Sequence, residues 1–585
     1  MKRNNFLIFK LFNFYIAAAV LAMTSCVDTV ILPDNKTVDD DYWQNKSEVE
    51  GVVAKAYDQL RNSVAIRNMI VWGDFRSDEF NVSSDVSATN ADKIALSQIY
   101  SMNISTDNAF TGWYPFYSAI NYCNLVLEKA EDVIKNDPDY DRNDYLINRS
   151  QVLSLRAFCY FYLTRVFHDI PVTPHAYLNS SDDLNAPQLA PDSVLNMCIS
   201  DLKEALNDAI PGNTYARIDG EEWRDKAFLN RDGICAVLAD IYLWRASINR
   251  DANDYQACVD YCDRVIAAKK EAYEAMPHRG RGEEQQVQDY YLSSYLEMYK
   301  DIFANPGEPA DETIFELSFY NSSNMGLSQM YYSYIGYSTG LIKASGRFGK
   351  VIAQSDGVWH NTYDQRLYEF VFDATSSSKE NFDVRKFIGA ESAGEGKAQP
   401  APIIGRATTF PPTWIFYRLT DVMLMKAEAL VQLYELGGKA DGDTRNEEAF
   451  AICRFVNDRA LPQAYQGEGS GKYSLKYSTY ADKMESLVLE ERVRELCFEG
   501  KRWYDLMRYN YRHTSVKADL TKKLSESYVA NNDDFLDLAL RKYAVPTAMK
   551  SKMRDERYLY MPINQDEIDF NPNLVQNPAY RSSKK

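Results

Sequence analysis

The sequence contains few of the residues on which common catalytic and metal sites depend. It has only five histidines in 585 residues and no His-Glu-x-x-His motif, so a hydrolytic zinc site has no support. Positive charge is also scarce, since 83 acidic residues face 65 basic ones and give a formal net charge of −18. A net acidic chain is a poor match for nucleic acid or for an anionic lipid surface. We therefore expect no nucleic-acid partner, no metal and no cofactor.

Long hydrophobic runs are missing from the chain except at its N-terminus. There, three basic residues within positions 1–10 precede an apolar run over 11–23, which two small residues and Cys26 follow. This order of positive, apolar and small residues is typical of a secretory signal. A cysteine directly after small residues predicts that residues 1–25 are removed and that Cys26 is acylated. The polar, acidic residues 26–45 are expected to form a flexible tether.

Apolar residues recur at helical spacing over most of the remaining chain. Several of the helices look like antiparallel pairs with small residues where they would touch. The pattern Ala236-x-x-Ala239-x-x-Tyr242 is typical of a tetratricopeptide-like half-repeat. The predicted helices cover 46–62, 112–135, 148–168, 191–209, 228–248, 254–268, 413–435, 446–460 and 479–499.

Residues 275–412 differ from the sequence on either side. They are rich in Gly, Pro, Ser and Tyr and contain short strand-like pieces such as 313–319. Long irregular stretches in compact proteins tend to be functional or disordered, and the aromatic residues here favour order. The prediction is a mainly α protein with an N-terminal TPR-like helical region (46–274), an irregular, loop-rich lobe with a few short strands (275–412), and a C-terminal helical region (413–585) that completes the scaffold.

The most informative stretch is 490–508, E-E-R-V-R-E-L-C-F-E-G-K-R-W-Y-D-L-M-R. Leu496, Phe498 and Trp503 have the spacing of buried residues, yet many charges surround them. The pattern predicts an amphipathic helix over 480–499 that ends at Gly500, a residue that readily takes the left-handed conformation. The charges are either paired near the core, because unpaired buried charges are costly, or exposed on a salt-bridged surface helix. Neither interpretation gives them a catalytic role.

This stretch resembles the C-terminal signature of the SusD/RagB family of outer-membrane nutrient-binding lipoproteins. Trp113-x-x-x-Tyr117-x-x-Ile120 resembles a second family motif. Further resemblances occur at 155–163, 418–429 and 571–580, and all of them follow the family order.

The resemblance implies an α-helical, TPR-like fold without enzymatic activity. It also implies a surface-exposed lipoprotein, anchored in the outer membrane by its lipid. Such a protein binds an oligosaccharide or polysaccharide and delivers it to a SusC-like TonB-dependent transporter.

Aromatic residues in loops are the candidate ligand contacts, because sugars bind through aromatic faces and a few polar groups in pre-formed sites. Two groups of residues meet this description. The first precedes Trp113 and the second lies in the irregular region. They are Trp72, Phe75, Tyr100 and Phe110, and then Tyr331, Tyr332, Tyr334, Tyr337, Trp359 and Tyr363.

Two other functions remain open. A peptide or glycopeptide receptor of the RagB type would use the same loops. A surface hydrolase would use an acid pair or Ser338, which lies in a Gly-Tyr-Ser-Thr-Gly sequence. That sequence is a nucleophile elbow only between a strand and a helix of an α/β sheet, a context that the surrounding pattern does not predict.

Overall fold

The structure is a computed structural model whose described residues form one main unit. They are 42–178, 185–215, 221–275, 312–319, 322–331, 340–351, 356–374, 379–387, 412–462 and 473–581, with positions 218, 290, 292, 302, 303, 376 and 465. The main unit comprises Trp43–Ala176 and Asp183–Lys585, and the second unit comprises Met1–Tyr42 and Tyr177–Asp182. Cys26, the predicted signal and most of the predicted tether lie outside the described residues.

The N-terminal part of the main unit folds into helices that pack against one another in pairs, most of them consecutive in the chain. They are α1 (Lys46–Leu60), α2 (Ser63–Ile70), α3 (Ala91–Tyr100), α4 (Tyr114–Val133), α5 (Arg142–Phe167), α6 (Pro191–Asp208), α7 (Arg224–Ala227), α8 (Arg231–Asn249) and α9 (Ala252–Ala275). α1 packs on α4, α4 on α5, α5 on α6 and α8 on α9. Ala236 and Ala239 are fully buried, as close helix packing requires.

Local sequence explains where several of these helices begin and end. Asn45 and Asp141 form capping boxes at the starts of α1 and α5, which satisfy backbone N–H groups that have no partner within the helix. α5 ends at Phe167, and Ile170–Pro171 then forms a strand. Proline disfavours helix in the residue before it, which accounts for this end.

The C-terminal part is also helical, and it packs against the N-terminal helices. Its helices are α10 (Met325–Tyr331), α11 (Arg366–Phe370), α12 (Leu419–Leu436), α13 (Arg445–Arg459), α14 (Tyr477–Tyr480), α15 (Met484–Leu496), α16 (Arg502–His513), α17 (Asp533–Ala539), α18 (Thr547–Met553) and α19 (Gln565–Phe570). α12 packs against α9, α13 and α15, so it joins the two helical regions. Among the described residues, no helix is long and apolar enough to cross a membrane.

Short strands complete the fold. They are β1 (Phe80–Val82), β2 (Ile170–Pro171), β3 (Gln188–Leu189), β4 (Thr313–Leu317), β5 (Ile342–Ser345), β6 (Asn381–Phe382) and β7 (Trp414–Arg418). β1, β5 and β6 form one antiparallel sheet in that order, and β2–β3 and β4–β7 form two antiparallel pairs. The prediction of a mainly α protein with few strands is therefore confirmed.

Several predicted helix boundaries are wrong: α5 begins earlier than predicted, at Arg142, and α9 extends further, to Ala275. The predicted helix over 413–435 begins as strand β7, whose aromatic and β-branched residues pair with β4, an environment that favours a strand. The predicted helix over 480–499 is shorter, since α15 covers only Met484–Leu496. Phe498 and Gly500 both have positive φ values, 70° and 75°, so the chain turns before Gly500.

Candidate functional site

The first group of predicted ligand contacts lies mostly in the core. Trp72, Phe75 and Phe110 are each at most 1% exposed. Trp72 belongs to a π-helical turn, Val71–Phe75, and its Nε1 donates a hydrogen bond to the Phe110 carbonyl at 2.8 Å. These rings offer no face to a ligand in this conformation. Trp113 is also buried, so this residue of the family-like motif packs in the core.

Tyr100 is the member of that group that remains partly exposed. Its ring lies 4.5 Å from the ring of Tyr543, whose hydroxyl donates to the Tyr100 carbonyl at 2.8 Å. The two rings line a shallow depression that Arg76, Tyr558 and Tyr580 also line. The Arg76 guanidinium is held by the carbonyls of Tyr558 and Leu559, both at 2.6 Å. The side chains that line this depression are therefore held by the protein's own contacts.

Among its described residues, the second group contains two buried rings and one partly exposed ring. Tyr331 and Trp359 are at most 1% exposed. The Tyr331 hydroxyl donates to the Phe498 carbonyl at 3.1 Å, and Trp359 Nε1 donates to the Phe348 carbonyl at 2.7 Å. Both rings thus serve the core. Tyr332, Tyr334, Tyr337 and Ser338 lie outside the described residues, so their predicted roles stay predictions.

Tyr363 is partly exposed and belongs to a cluster that we name the tyrosine triad, Tyr363, Tyr465 and Tyr473. Its ring centroid lies 4.6 Å from that of Tyr465 and 4.6 Å from that of Tyr473, and the latter two lie 5.0 Å apart. All three side chains are partly exposed. Hydrogen bonding to the hydroxyls of Tyr473 and Tyr465 raises the pKa of Tyr363. The triad thus combines apolar ring surface with three neighbouring hydroxyls, the combination that suits a saccharide.

Sequence reasoning missed two members of the triad. Tyr465 and Tyr473 flank the glycine-rich stretch 466–472. This stretch lies beyond the irregular region, 275–412, that contains the second group of predicted contacts. The same criterion, an aromatic residue beside a glycine-rich stretch, would have found both. Their proximity to Tyr363 could not be predicted, because about a hundred residues separate them in sequence.

The base of the triad is fixed by a hydrogen bond and by buried charge. The Gln365 amide donates to the Ala460 carbonyl at 2.9 Å, which ties the Tyr363 segment to the end of α13. Arg366 has no exposed surface. Its guanidinium binds Asp364 at 2.8 Å and Glu491 at 2.8 Å.

Arg366 is part of a larger set of buried charges that we name the buried ion network. All of its members are at most 3% exposed. They are Arg366, Arg418, Arg459, Glu491, Glu495 and Glu499. The stretch 490–508 supplies the three glutamates, so the interpretation of its charges as pairs near the core is confirmed.

Glu495 is at the centre of the buried ion network. Its Oε1 accepts from Arg418 at 2.7 Å and from Arg459 at 2.6 Å, and its Oε2 accepts from Arg366 at 3.1 Å. Burial alone would raise the pKa of Glu495, but these three guanidinium groups hold it well below its usual range. Such groups stabilise a carboxylate and leave it no proton to donate. The arrangement therefore supports the scaffold rather than acid–base chemistry.

A second buried contact fixes the turn between α15 and α16. The Asp74 carboxylate accepts from the backbone amides of Gly500 and Lys501 at 2.6 Å and 3.0 Å. A carboxylate at this position satisfies N–H groups at the start of α16. Burial raises the pKa of Asp74 to about 7, although these backbone donors oppose the rise.

The remaining chemical candidates are structural. The eight cysteines among the described residues are all buried free thiols. In the part of the chain that the structure describes, no group of three or more His, Cys, Asp or Glu side chains could hold a metal ion.

Comparisons with known proteins agree over most of the chain. A family model described as "SusD family" matches residues 374–580, and one described as "Starch-binding associating with outer membrane" matches residues 32–243. A SusD-like protein of Formosa agariphila is 23% identical over 536 residues, which cover 85% of this chain and 91% of that protein. A second SusD-like protein of that organism is 23% identical over 432 residues, which cover 70% of this chain and 74% of the relative.

Solved structures share the fold. A SusD homolog from Bacteroides thetaiotaomicron is similar with a TM-score of 0.65 at 16% identity, over 92% of this chain and 98% of that one. A SusD superfamily protein from the same organism has a TM-score of 0.60 at 21% identity, over 92% and 99%. At these identities, the structures support the helical architecture alone.

Proposed function

The chain belongs to the SusD/RagB family, and on this basis we propose that it is a cell-surface glycan-binding lipoprotein of the outer membrane. In this proposal Cys26 carries the lipid, and the body binds an oligosaccharide or polysaccharide without covalent chemistry. The bound glycan passes to a SusC-like TonB-dependent transporter. The description "Starch-binding associating with outer membrane" for residues 32–243 supports the location and the class of ligand.

The observation that carries the glycan assignment is the tyrosine triad. A saccharide presents apolar C–H faces and hydroxyl edges, and a binding site for it needs both ring surface and hydrogen-bonding groups. The triad has both, and it is partly exposed. Because Arg366 is locked into the buried ion network, the segment that carries Tyr363 is held in place before a ligand arrives. Such preorganisation lowers the entropic cost of binding.

The test uses the chain without residues 1–26 in affinity electrophoresis against a panel of polysaccharides, with isothermal titration of any ligand found. We expect the triple variant Tyr363→Ala, Tyr465→Ala, Tyr473→Ala to bind about tenfold more weakly or worse, since each lost aromatic contact costs about 0.5–1.5 kcal/mol. The matched control is Tyr528→Ala. Tyr528 is 50% exposed and its ring faces Arg557 at 3.7 Å, so this variant should bind normally.

Two results would favour other functions. Binding of peptides or glycopeptides without binding of any polysaccharide would favour a RagB-type receptor. Release of product from a polysaccharide would favour a surface hydrolase. Unchanged glycan affinity in the triple variant would remove the triad from the proposed site.

The proposed transporter partner needs a separate test. The full-length chain, solubilised from its own membrane in mild detergent, should co-purify with a β-barrel protein that mass spectrometry can identify. Recovery of the chain alone, under conditions that keep other membrane complexes intact, would contradict the partnership.

A further inference from the structure

One tryptophan differs from all others in its exposure. The sequence contains eight tryptophans, and all of them lie among the described residues. Seven are at most 7% exposed, whereas Trp223 is 44% exposed. Burying a large aromatic ring is strongly favourable, so the exposed indole offers a ring face that a ligand can cover.

Trp223 lies within a small aromatic surface that we name the Trp223 shelf, Tyr215, Trp223, Arg224 and Phe228. The Trp223 ring is tilted by 44° against the Phe228 ring, with 5.9 Å between centroids. The Arg224 guanidinium lies 4.3 Å above the Tyr215 ring. Together these side chains form a small aromatic surface with a polar group at its edge.

The backbone beneath the shelf is firmly held. The Tyr215 amide donates to both oxygens of Asp225 at 3.1 Å, and Asn230 donates to the Asp225 carbonyl at 2.6 Å. The Leu229 amide donates to the hydroxyl of Tyr57 at 3.0 Å. Trp223 is thus exposed on a turn that is already held in place. Binding of a ligand there would carry no large entropic cost of ordering the turn.

The chemistry of the shelf favours a saccharide over a protein partner. Among the described residues of this segment, the exposed large apolar side chains are Trp223 and Ile218, at 44% and 46%. Two such side chains supply only a small part of the area of about 1,200–2,000 Å² that a stable protein interface buries. One indole, in contrast, is enough to cover the face of one pyranose ring. Glu221 and Arg224, both partly exposed and 3.0 Å apart, supply acceptors and donors at the edge for sugar hydroxyls.

The charge of the shelf selects the class of saccharide. Glu221 and Arg224 balance each other, and the whole chain carries −18. Uronic-acid or sulfated glycans would therefore meet repulsion that Glu221 and Arg224, as an opposite pair among the described residues, do not offset.

We propose that the Trp223 shelf is a second saccharide-binding surface, which takes a neutral sugar unit of the glycan by stacking on Trp223. This inference rests on the proposed glycan-binding function. It adds a contact surface whose residues come from the segment between α6 and α8, whereas the tyrosine triad comes from residues 363–473.

Acrylamide quenching of tryptophan fluorescence tests the shelf directly, because Trp223 is the exposed indole among eight. The chain without residues 1–26 is titrated with laminarin, mannan, xylan and pullulan as neutral probes and with alginate as an anionic probe. We expect at least one neutral probe to shield a quenchable component that is absent from Trp223→Phe, and alginate to shield none.

Affinity electrophoresis with the same probes gives the second measurement. Trp223→Ala should weaken binding about tenfold, and Trp223→Phe less, since a smaller ring keeps part of the stacking surface. Phe570→Ala is the matched control, because Phe570 is 54% exposed on α19. In the triple variant of the tyrosine triad, shielding of Trp223 should persist. Thermal unfolding of each variant checks that it is folded.

The outcomes separate the two proposals. If polysaccharides bind but Trp223→Ala binds them normally and its indole is never shielded, the shelf is overturned and the glycan-binding function stands. If no polysaccharide binds the unmodified chain, both the glycan-binding function and the Trp223 shelf are overturned. Shielding by alginate alone, or by peptides alone, would also overturn the shelf as a surface for neutral sugars.

Discussion

At the scale of single residues, buried charges are the most unusual feature of this protein. Glu495 and the three arginines that bind it are almost fully buried. Desolvation of such ions is costly, and their mutual hydrogen bonds only offset it when all partners are present. The residues that identify the family in sequence therefore act by fixing the scaffold beneath the proposed site.

We expect Glu495→Ala to lower the free energy of unfolding by about 3–5 kcal/mol, because it leaves the three guanidinium groups buried without their shared partner. Chemical denaturation of the soluble chain measures the change. Glu490→Ala on the same helix is the control, since Glu490 is 46% exposed and 3.6 Å from Arg494, and it should cost at most about 1 kcal/mol. Equal losses in the two variants would contradict the role assigned to the buried ion network.

Glu79 is a buried acid with a different role. It has no exposed surface, and its Oε2 accepts from the Phe498 amide at 3.1 Å while its Oε1 has no hydrogen-bond partner. Burial, together with the charges of Asp74 and Asp78, raises the pKa of Glu79 well above its ordinary value. Glu79 therefore keeps its proton in the folded chain at pH values where the unfolded chain has lost it.

This difference predicts how stability depends on pH. The contribution of Glu79 is fully present below the unfolded-state pKa of about 4.3 and is lost as the pH rises through the raised folded-state value. We expect the free energy of unfolding to decrease less between pH 5 and pH 8 in Glu79→Gln than in the unmodified chain. Exposed Glu490→Gln serves as the control and should keep the original slope. An unchanged slope in Glu79→Gln would show that Glu79 is already ionised in the folded chain over this pH range.

At the scale of elements, a close backbone contact joins two distant parts of the chain. The π-helical turn Val71–Phe75 approaches the turn at Gly500 so closely that a Cβ on Gly73 would lie 2.2 Å from the Gly500 carbonyl oxygen. Asp74 of the same turn binds the Gly500 and Lys501 amides. This contact sets where α16 begins. Gly500, with its positive φ, therefore belongs to the turn that leads into α16 and does not cap the end of α15.

Gly73→Ala is therefore expected to destabilise the fold by about 1–3 kcal/mol, because backbone atoms would have to move apart to admit the methyl group. Gly112→Ala is the matched control, since no atom lies within 4 Å of its added Cβ. Thermal and chemical unfolding of the two variants measure the difference. A Gly73→Ala chain as stable as Gly112→Ala would mean that the contact is looser than these distances indicate.

At the scale of the whole molecule, the proposed attachment to the membrane depends on the predicted lipid at Cys26. The chain is strongly acidic, so it lacks the net positive charge that would hold it on anionic lipid, and in the proposal the lipid is the anchor.

We expect Cys26→Ala to move most of the exported protein from the membrane to the soluble fraction. Fractionation with and without high salt, combined with labelling by radioactive palmitate, measures both consequences. Cys123→Ala, which changes a buried free thiol, should stay labelled and membrane-bound. Retention of unlabelled Cys26→Ala in the membrane would contradict the anchor and require another attachment.

The fold could be predicted from sequence to a large extent, because helical periodicity and capping residues are local signals. The helices predicted over 46–62 and 148–168 correspond to α1 (Lys46–Leu60) and α5 (Arg142–Phe167). The β7 strand was mistaken for helix because its pairing with β4 is a long-range contact. The exposure of the aromatic residues was harder to predict, because burial depends on neighbours that are distant in sequence. Trp72, Phe110 and Trp359 are core residues.

The family and the helical class follow from residue types at characteristic spacing, whereas that spacing left open whether the charges of 490–508 are buried or exposed. The tertiary structure alone decided which aromatic rings remain accessible. It brought Tyr465 and Tyr473 to Tyr363 and left Trp223 as the exposed indole among eight. The physical reason is that exposure is what remains after the core has packed, and no local pattern specifies which ring the packing leaves outside.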